Sequence, residues 1–164
     1  DRAKYADVEE EMKGLAAEGA ALRKELIDSI QKDTESFTAY MNALGMPKNT
    51  DEEKAARKEA MQNGLKEAAE VPLAVAETAL KIFHVAGAVV ERGNANAVTD
   101  GLVASMMART AVLSALLNVK INLGSIKDEE FVARMAAKVA ELEKAAMDGE
   151  KAVMELSALT RDLV

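Results

Sequence analysis

From Tyr5 to Leu44, apolar or small residues recur at steps of three or four: Tyr5, Val8, Met12, Leu15, Gly19, Leu22, Leu26, Ile30, Phe37, Tyr40, Met41 and Leu44. That spacing keeps them on one face of a single helix of about forty residues. Gly45 and Pro47 end it, because glycine suits the helix C-cap and proline cannot continue the hydrogen-bond ladder. At a rise of 1.5 Å per residue the rod is about 60 Å long, more than a compact globule of this size accommodates. An elongated bundle is therefore expected, dimerising along helix faces so that the exposed length is buried.

The rest of the chain follows the same logic. Thr50 and Glu53 form a capping-box pattern that starts a second helix. It is expected to kink at Pro72 and to continue through Leu73–Val90 until Gly93. After the Gly93-Asn94-Ala95-Asn96 turn, Thr99 caps a third helix that ends near Gly124. Being apolar nearly all round, it should be central. A last long amphipathic helix begins around Lys127–Glu129. Two prolines, nine glycines and a scarcity of aromatic residues give no support to strands. The expectation is an all-α bundle of four to five long helices, forming a single domain over residues 1–164 with no repeat or linker.

Charge and composition narrow the function. A net charge of −7 argues against nucleic-acid binding, which needs a basic surface. With no cysteine and one histidine, thiol chemistry is excluded and a metal site is not expected. Arg109, Asn118, Lys120 and Asn122 interrupt the most apolar stretch, so it reads as a buried helix and not as a membrane span. No signal peptide opens the chain, and a cytoplasmic location is the default.

Asp33 falls where the helical period calls for an apolar residue. A carboxylate buried there would be costly without a partner or a purpose. Desolvation would raise its pKa toward the range of a general acid. The alternatives are a structural hydrogen bond or a stripe that drifts until Asp33 lies at its edge. Asn118 and Asn122, four apart on the apolar third helix, should project inward, either to bond neighbouring helices or to recognise a polar heterocycle. His84, beside Phe83, reads as a partly buried histidine with a functional role as the alternative. The Gly93-Asn94 turn is a helix stop or a pocket rim. Lys48, Lys54, Arg57 and Lys58 form a local basic cluster, either a solvated helix face or an anion site.

Several segments together carry a resemblance: Asp33-Thr34-Glu35-Ser36-Phe37, Met46-Pro47-Lys48-Asn49-Thr50 with Glu53 and Arg57, and Val71-Pro72-Leu73. They are followed by Gly93-Asn94-Ala95-Asn96 with Asp100, Asn118-Val119-Lys120-Ile121-Asn122-Leu123, and Asp128 before Phe131. In this order they resemble the cyclodeaminase/cyclohydrolase family of folate enzymes, over roughly residues 4 to 140. The resemblance implies an all-helical homodimer that binds a reduced folate, polyglutamylated forms included, with a formimidoyltransferase as a further partner. The implied reaction converts 5-formimidoyl-tetrahydrofolate into 5,10-methenyl-tetrahydrofolate and ammonia, in histidine or purine breakdown. Some relatives instead hydrolyse the methenyl compound to 10-formyl-tetrahydrofolate. No cofactor beyond tetrahydrofolate, as substrate carrier, is implied.

By the same resemblance Asp33 is the acid/base residue. Asn118 and Asn122 match the family's paired asparagines, Gly93, Asn94 and Asp100 its glycine-asparagine-aspartate turn, and Lys48 and Arg57 positions that meet the glutamate tail. Family members also carry a proline-glycine-glycine-glycine-serine segment and a small-residue helix ahead of the region matching Lys4-Tyr5. A chain without them is expected to have an incomplete pocket, and the missing initiator methionine fits truncation or processing. A helical dimerisation module without catalysis is the alternative of another class.

Overall fold

The computed structural model describes residues 3–163. Among the described residues there are five helices, α1 Glu9–Leu44, α2 Asp51–Leu80, α3 Ile82–Arg92, α4 Val98–Leu123 and α5 Glu129–Glu155, with short 3-10 turns at Ala3–Val8, Ala95–Ala97 and Arg161–Leu163. At α2 and α5, local chemistry satisfies the free N–H groups of the first turn. Thr50 Oγ1 accepts from the Glu53 N–H while Glu53 Oε2 accepts from the Thr50 N–H, closing the capping box on α2. Asp128 Oδ1 accepts from the Phe131 N–H at the start of α5, and Asp128 Oδ2 accepts from Lys66 Nζ at 2.6 Å.

α1 and α2 run antiparallel. Arg57 at one end of α2 donates to the Leu44 carbonyl, Gly64 lies against Tyr40, and Thr78 Oγ1 donates to Glu25 Oε1 at 2.7 Å. A Cβ on Gly64 would stand 3.0 Å from the Tyr40 Cα, so this glycine sets how closely the two helices approach. α2 and α3 form one rod with a break at Lys81, whose N–H bonds back to the Thr78 carbonyl. Pro72 lies buried inside α2, which continues past it to Leu80. α4 packs on the rod and α5 packs antiparallel on α4, tied by Lys120–Glu143 and Arg109–Glu150.

The core lies between the rod, α4 and α5. Ala69, Ala76 and Ala79 of α2 and Val112, Leu116 and Val119 of α4 are fully buried. The alanines let α2 and α4 approach closely while the larger residues fill the space. By length and hydropathy alone Asp51–Arg92 and Ala95–Leu123 are long enough to cross a membrane; here both supply the bundle core.

α4 is central, as expected, but one face of it is bare: Val103, Met107, Leu117 and Ile121 are exposed. His84 also departs from expectation. It is exposed, with Nε2 3.9 Å from Glu18, because the α3 turn that buries Phe83 toward α5 directs the next residue outward.

Candidate active site

The contact face of α1 follows a four-three repeat: Leu15, Gly19, Leu22, Leu26, Ser29, Asp33, Ser36, Tyr40 and Ala43. Asp33 thus occupies a seam position, as the period indicated, but its carboxylate is exposed and has no hydrogen-bond or ion-pair partner among the described residues. Of the readings the sequence leaves open, burial with desolvation and a structural hydrogen bond are both set aside, and the exposed position holds. At this level α1 and α4 both lean on α2, around Pro72, and leave a groove between them. The seam residue faces open space in place of a helix.

The groove is about 410 Å³, with Pro72 and Val75 of α2 at its base and Ala111, Ser114 and Asn118 on its α4 wall. Its α1 wall carries Ser29, Ile30, Asp33 and Thr34. Asp33 and Asn118, far apart in sequence, therefore share one cleft. Asn118 is exposed and not interior as expected; its Nδ2 donates to the Ser114 carbonyl at 3.2 Å, leaving Oδ1 as an acceptor toward the groove. Ser29 and Thr34 donate their hydroxyls to the Glu25 and Ile30 carbonyls, so toward a ligand they too present lone pairs. Sequence reasoning missed these hydroxyls, although Ser29 lies on the same four-three seam as Asp33.

Asn122 lies at the foot of the α4 wall. Its Nδ2 donates to the Ala68 carbonyl at 2.8 Å and to the Asn118 carbonyl at 3.0 Å. Ala68 is four residues before Pro72, which has no N–H to give it. Asn122 therefore supplies the bond that proline withholds, and this holds the α4 wall against the α2 floor. A second trough continues along α1, sharing Leu26 and Ile30 with the groove and lined otherwise by Gly19, Leu22, Ile82 and Val85, with Arg23 at its edge.

The remaining candidates lie elsewhere in the chain. Asp100 is about 27 Å from Asn118 along α4 at 1.5 Å per residue. Asn94 Oδ1 accepts from the Asn96 N–H and from the Tyr5 hydroxyl, which itself accepts from the Ala95 N–H. A Cβ on Gly93 would stand 2.5 Å from the Val89 carbonyl oxygen, so the turn needs glycine for packing. Arg57 is half-buried and clamps the last carbonyl of α1 through Nε and Nη2, while Lys48 is exposed in the α1–α2 loop. Lys54 pairs with Asp51.

Chemically, the cleft offers one free carboxyl group beside an amide and several hydroxyl acceptors, over an apolar base. Such a set holds a polar heterocycle and moves one proton. It does not supply a nucleophile of its own.

A model of the formiminotransferase-cyclodeaminase family matches residues 1–141. The chain belongs to the formiminotransferase-cyclodeaminase family. Within this family of folate one-carbon enzymes, the chain is 41% identical over 128 residues to a methenyltetrahydrofolate cyclohydrolase of Methylorubrum extorquens, covering 78% of this chain and 62% of that one. It is 36% identical over 132 residues to the formimidoyltransferase-cyclodeaminase of Gallus gallus, covering 80% of this chain and 24% of that one. The crystal structure of formiminotetrahydrofolate cyclodeaminase from Thermotoga maritima superposes with a TM-score of 0.82 at 29% identity, covering 99% of this chain and 76% of that one. The chain thus spans less than two thirds of these two curated relatives' lengths.

Proposed function

We propose that the groove between α1 and α4 binds a reduced folate and closes 5-formimidoyl-tetrahydrofolate to 5,10-methenyl-tetrahydrofolate with release of ammonia. The observation that carries this reading is the convergence of Asp33 and Asn118 on one cleft in a chain of this family. N10 attacks the formimidoyl carbon, giving a tetrahedral carbon bonded to N5, N10 and the departing nitrogen. Two protons must reach that nitrogen before its bond to carbon breaks: one that the formimidoyl group carries as a protonated amidine, and the N10 proton, which the Asp33 carboxylate accepts and passes on. The resulting carboxylate then lies beside the methenyl cation and stabilises it. Asn118 Oδ1 accepts from the heterocycle, and the cleft's main contribution is to hold N10 against the one-carbon unit. The apolar trough along α1 receives the flat ring between the pterin and the glutamate tail. Arg23, at the edge of that trough, is the cation placed to meet the tail; Lys48 lies past the opposite end of α1, about 30 Å or more away along the helix, and Arg57 serves the end of α1.

A second reading is hydrolysis of 5,10-methenyl-tetrahydrofolate to 10-formyl-tetrahydrofolate, favoured by the 41% identity to a protein named for that activity. It uses the same tetrahedral carbon, with water in place of ammonia. Incubation with each folate, followed by methenyl absorbance, separates the two. Absorbance that grows from the formimidoyl compound supports the first reading; absorbance that decays from the methenyl compound, without that growth, replaces it with the second. If neither changes, the folate reading fails.

A further inference from the structure

We propose that the groove between α1 and α4 selects a folate by the charge of its one-carbon unit, taking amidinium or methenyl cations over a neutral formyl group of the same shape, and that Asp33 sets this specificity. The inference rests on the folate reading above but not on which of its two reactions is right. Both 5-formimidoyl-tetrahydrofolate, protonated at its amidine, and 5,10-methenyl-tetrahydrofolate carry positive charge at the reacting carbon.

Among the described residues that line the groove, Asp33 alone carries charge; no lysine, arginine or histidine joins it. Its carboxylate is exposed and has no hydrogen-bond or ion-pair partner among the described residues. The cations nearby are occupied or distant. Lys32, next in sequence, lines a neighbouring recess together with Glu25, Glu67 and Glu70. Arg23 is ten residues back on α1, about 15 Å at 1.5 Å per residue, at the edge of the apolar trough. On α4, Arg109 turns to Glu150 and Lys120 to Glu143.

The neutral groups carry the same bias. Ser29 Oγ and Thr34 Oγ1 donate their protons to the Glu25 and Ile30 carbonyls, and Asn118 Nδ2 donates one of its protons to the Ser114 carbonyl. What remains toward a ligand is chiefly lone pairs, those of two hydroxyl oxygens and of Asn118 Oδ1. The Ser114 hydroxyl and the second Nδ2 proton of Asn118 are the side-chain donors left. The backbone adds none, because every lining residue lies inside α1, α2 or α4, where N–H groups serve the helix. No N-terminus of these three helices, with its free N–H groups, opens onto the groove. Their nearest end along the chain is the C-terminus of α4 at Leu123, the negative pole, about 8 Å past Asn118.

Such a groove discriminates both on binding and on reaction. An amidinium presents charged N–H donors, which pair with a carboxylate flanked by acceptors. In the 5-formyl compound an oxygen replaces that nitrogen. The group keeps its size and planarity, but it is neutral and turns an acceptor toward acceptors. Attack on either cation, by N10 or by water, moves positive charge off the carbon and forms no oxyanion. Attack on a formyl carbonyl forms one, and the Asp33 carboxylate would repel it. The segregation of charge along α1 also orients the ligand, with its cationic end at Asp33 and its anionic tail toward Arg23.

Two unreactive ligands separate charge from shape. 5-Formimidoyl-10-deaza-tetrahydrofolate and 5-formyl-10-deaza-tetrahydrofolate have carbon in place of N10, so neither can close a ring, and they differ by a nitrogen in place of an oxygen. In calorimetric titration at neutral pH and low salt, the formimidoyl compound should bind the wild-type chain about tenfold tighter, on the scale of one charge pair about 4 Å apart in a partly solvated groove. In Asp33→Asn the preference should fall to about twofold or less, with thermal unfolding showing that the variant is folded. Salt tests the same point without a substitution: at about 1 M, where the screening length is about 3 Å, the wild-type preference should shrink. Equal affinities for the wild-type chain, with both compounds bound, overturn the charge selection and leave the folate reading standing. A preference that survives in folded Asp33→Asn overturns the role of Asp33, and one that salt does not move overturns its electrostatic origin. If neither compound binds, the folate reading fails and the selection fails with it.

Discussion

Asp33 shows how a helical period locates a residue without fixing its environment. The four-three seam places it on the contact face of α1, between Ser29 and the buried Ser36. The carboxylate is nevertheless exposed, because the helix that would cover it is separated by a groove. Replacing it should therefore cost the fold nothing: Asp33→Asn is expected to abolish turnover with an unchanged melting temperature. Turnover near the wild-type rate would remove Asp33 from the chemistry. Asn122 is the opposite case, a polar residue whose work is internal. Removing it leaves the Ala68 carbonyl without a donor, so Asn122→Leu should destabilise the fold by about 1–3 kcal/mol in urea denaturation. In a Pro72→Ala background the backbone regains an N–H at that position, which serves the Ala68 carbonyl, and the penalty should shrink. Equal penalties in the two backgrounds would show that the bond to Ala68 does not matter.

At the scale of elements, stability rests on close approach and on caps. Gly64→Ala forces a methyl group to 3.0 Å from the Tyr40 Cα, where backbone must shift. A loss of about 1–3 kcal/mol is expected, with reduced folate affinity because α1 carries one wall of the groove. Asp128 joins α5 to α2. Its carboxyl is held below the usual aspartate value by the hydrogen bond from Lys66 and then by that from the Phe131 N–H, against a smaller opposing effect of burial. A carboxyl whose folded pKa lies below its unfolded pKa contributes stability that is fully present above the unfolded value and is lost as pH falls through the folded one. Amide exchange in the first turn of α5 should accelerate below about pH 4, and Asp128→Asn should flatten that acid limb. An acid limb of the same steepness in the variant would assign it to other carboxyls.

For the molecule as a whole, the homodimer that the family resemblance implies is testable through protein concentration. If activity needs that dimer, specific activity should fall when the protein is diluted below its dimer dissociation constant, and substrate should shift that midpoint to lower protein concentration. Specific activity that stays constant until the protein sediments as a monomer would place all of the chemistry in one chain.

Much of the architecture was legible from local chemistry. The three-four spacing set the helices, Gly45 with Pro47 and the Gly93 turn set their ends, and Thr50 set the start of α2, because capping and periodicity act within a few residues; Thr99 does not cap α4, which starts at Val98 with no side-chain cap. The combination of Asp33, the Gly93-Asn94 turn and the Asn118–Asn122 pair was enough to indicate the family. Periodicity cannot report which side of an apolar helix meets another helix, so α4 reads as apolar nearly all round and central, His84 as partly buried, and Asp33 stays open between burial, a structural hydrogen bond and the edge of the stripe. Those outcomes depend on contacts between residues distant in sequence. Only the packing of α1 and α4 on α2 opens a groove over Pro72, leaves Asp33 and Asn118 facing each other across it, and carries Asp100 to the far end of the same helix.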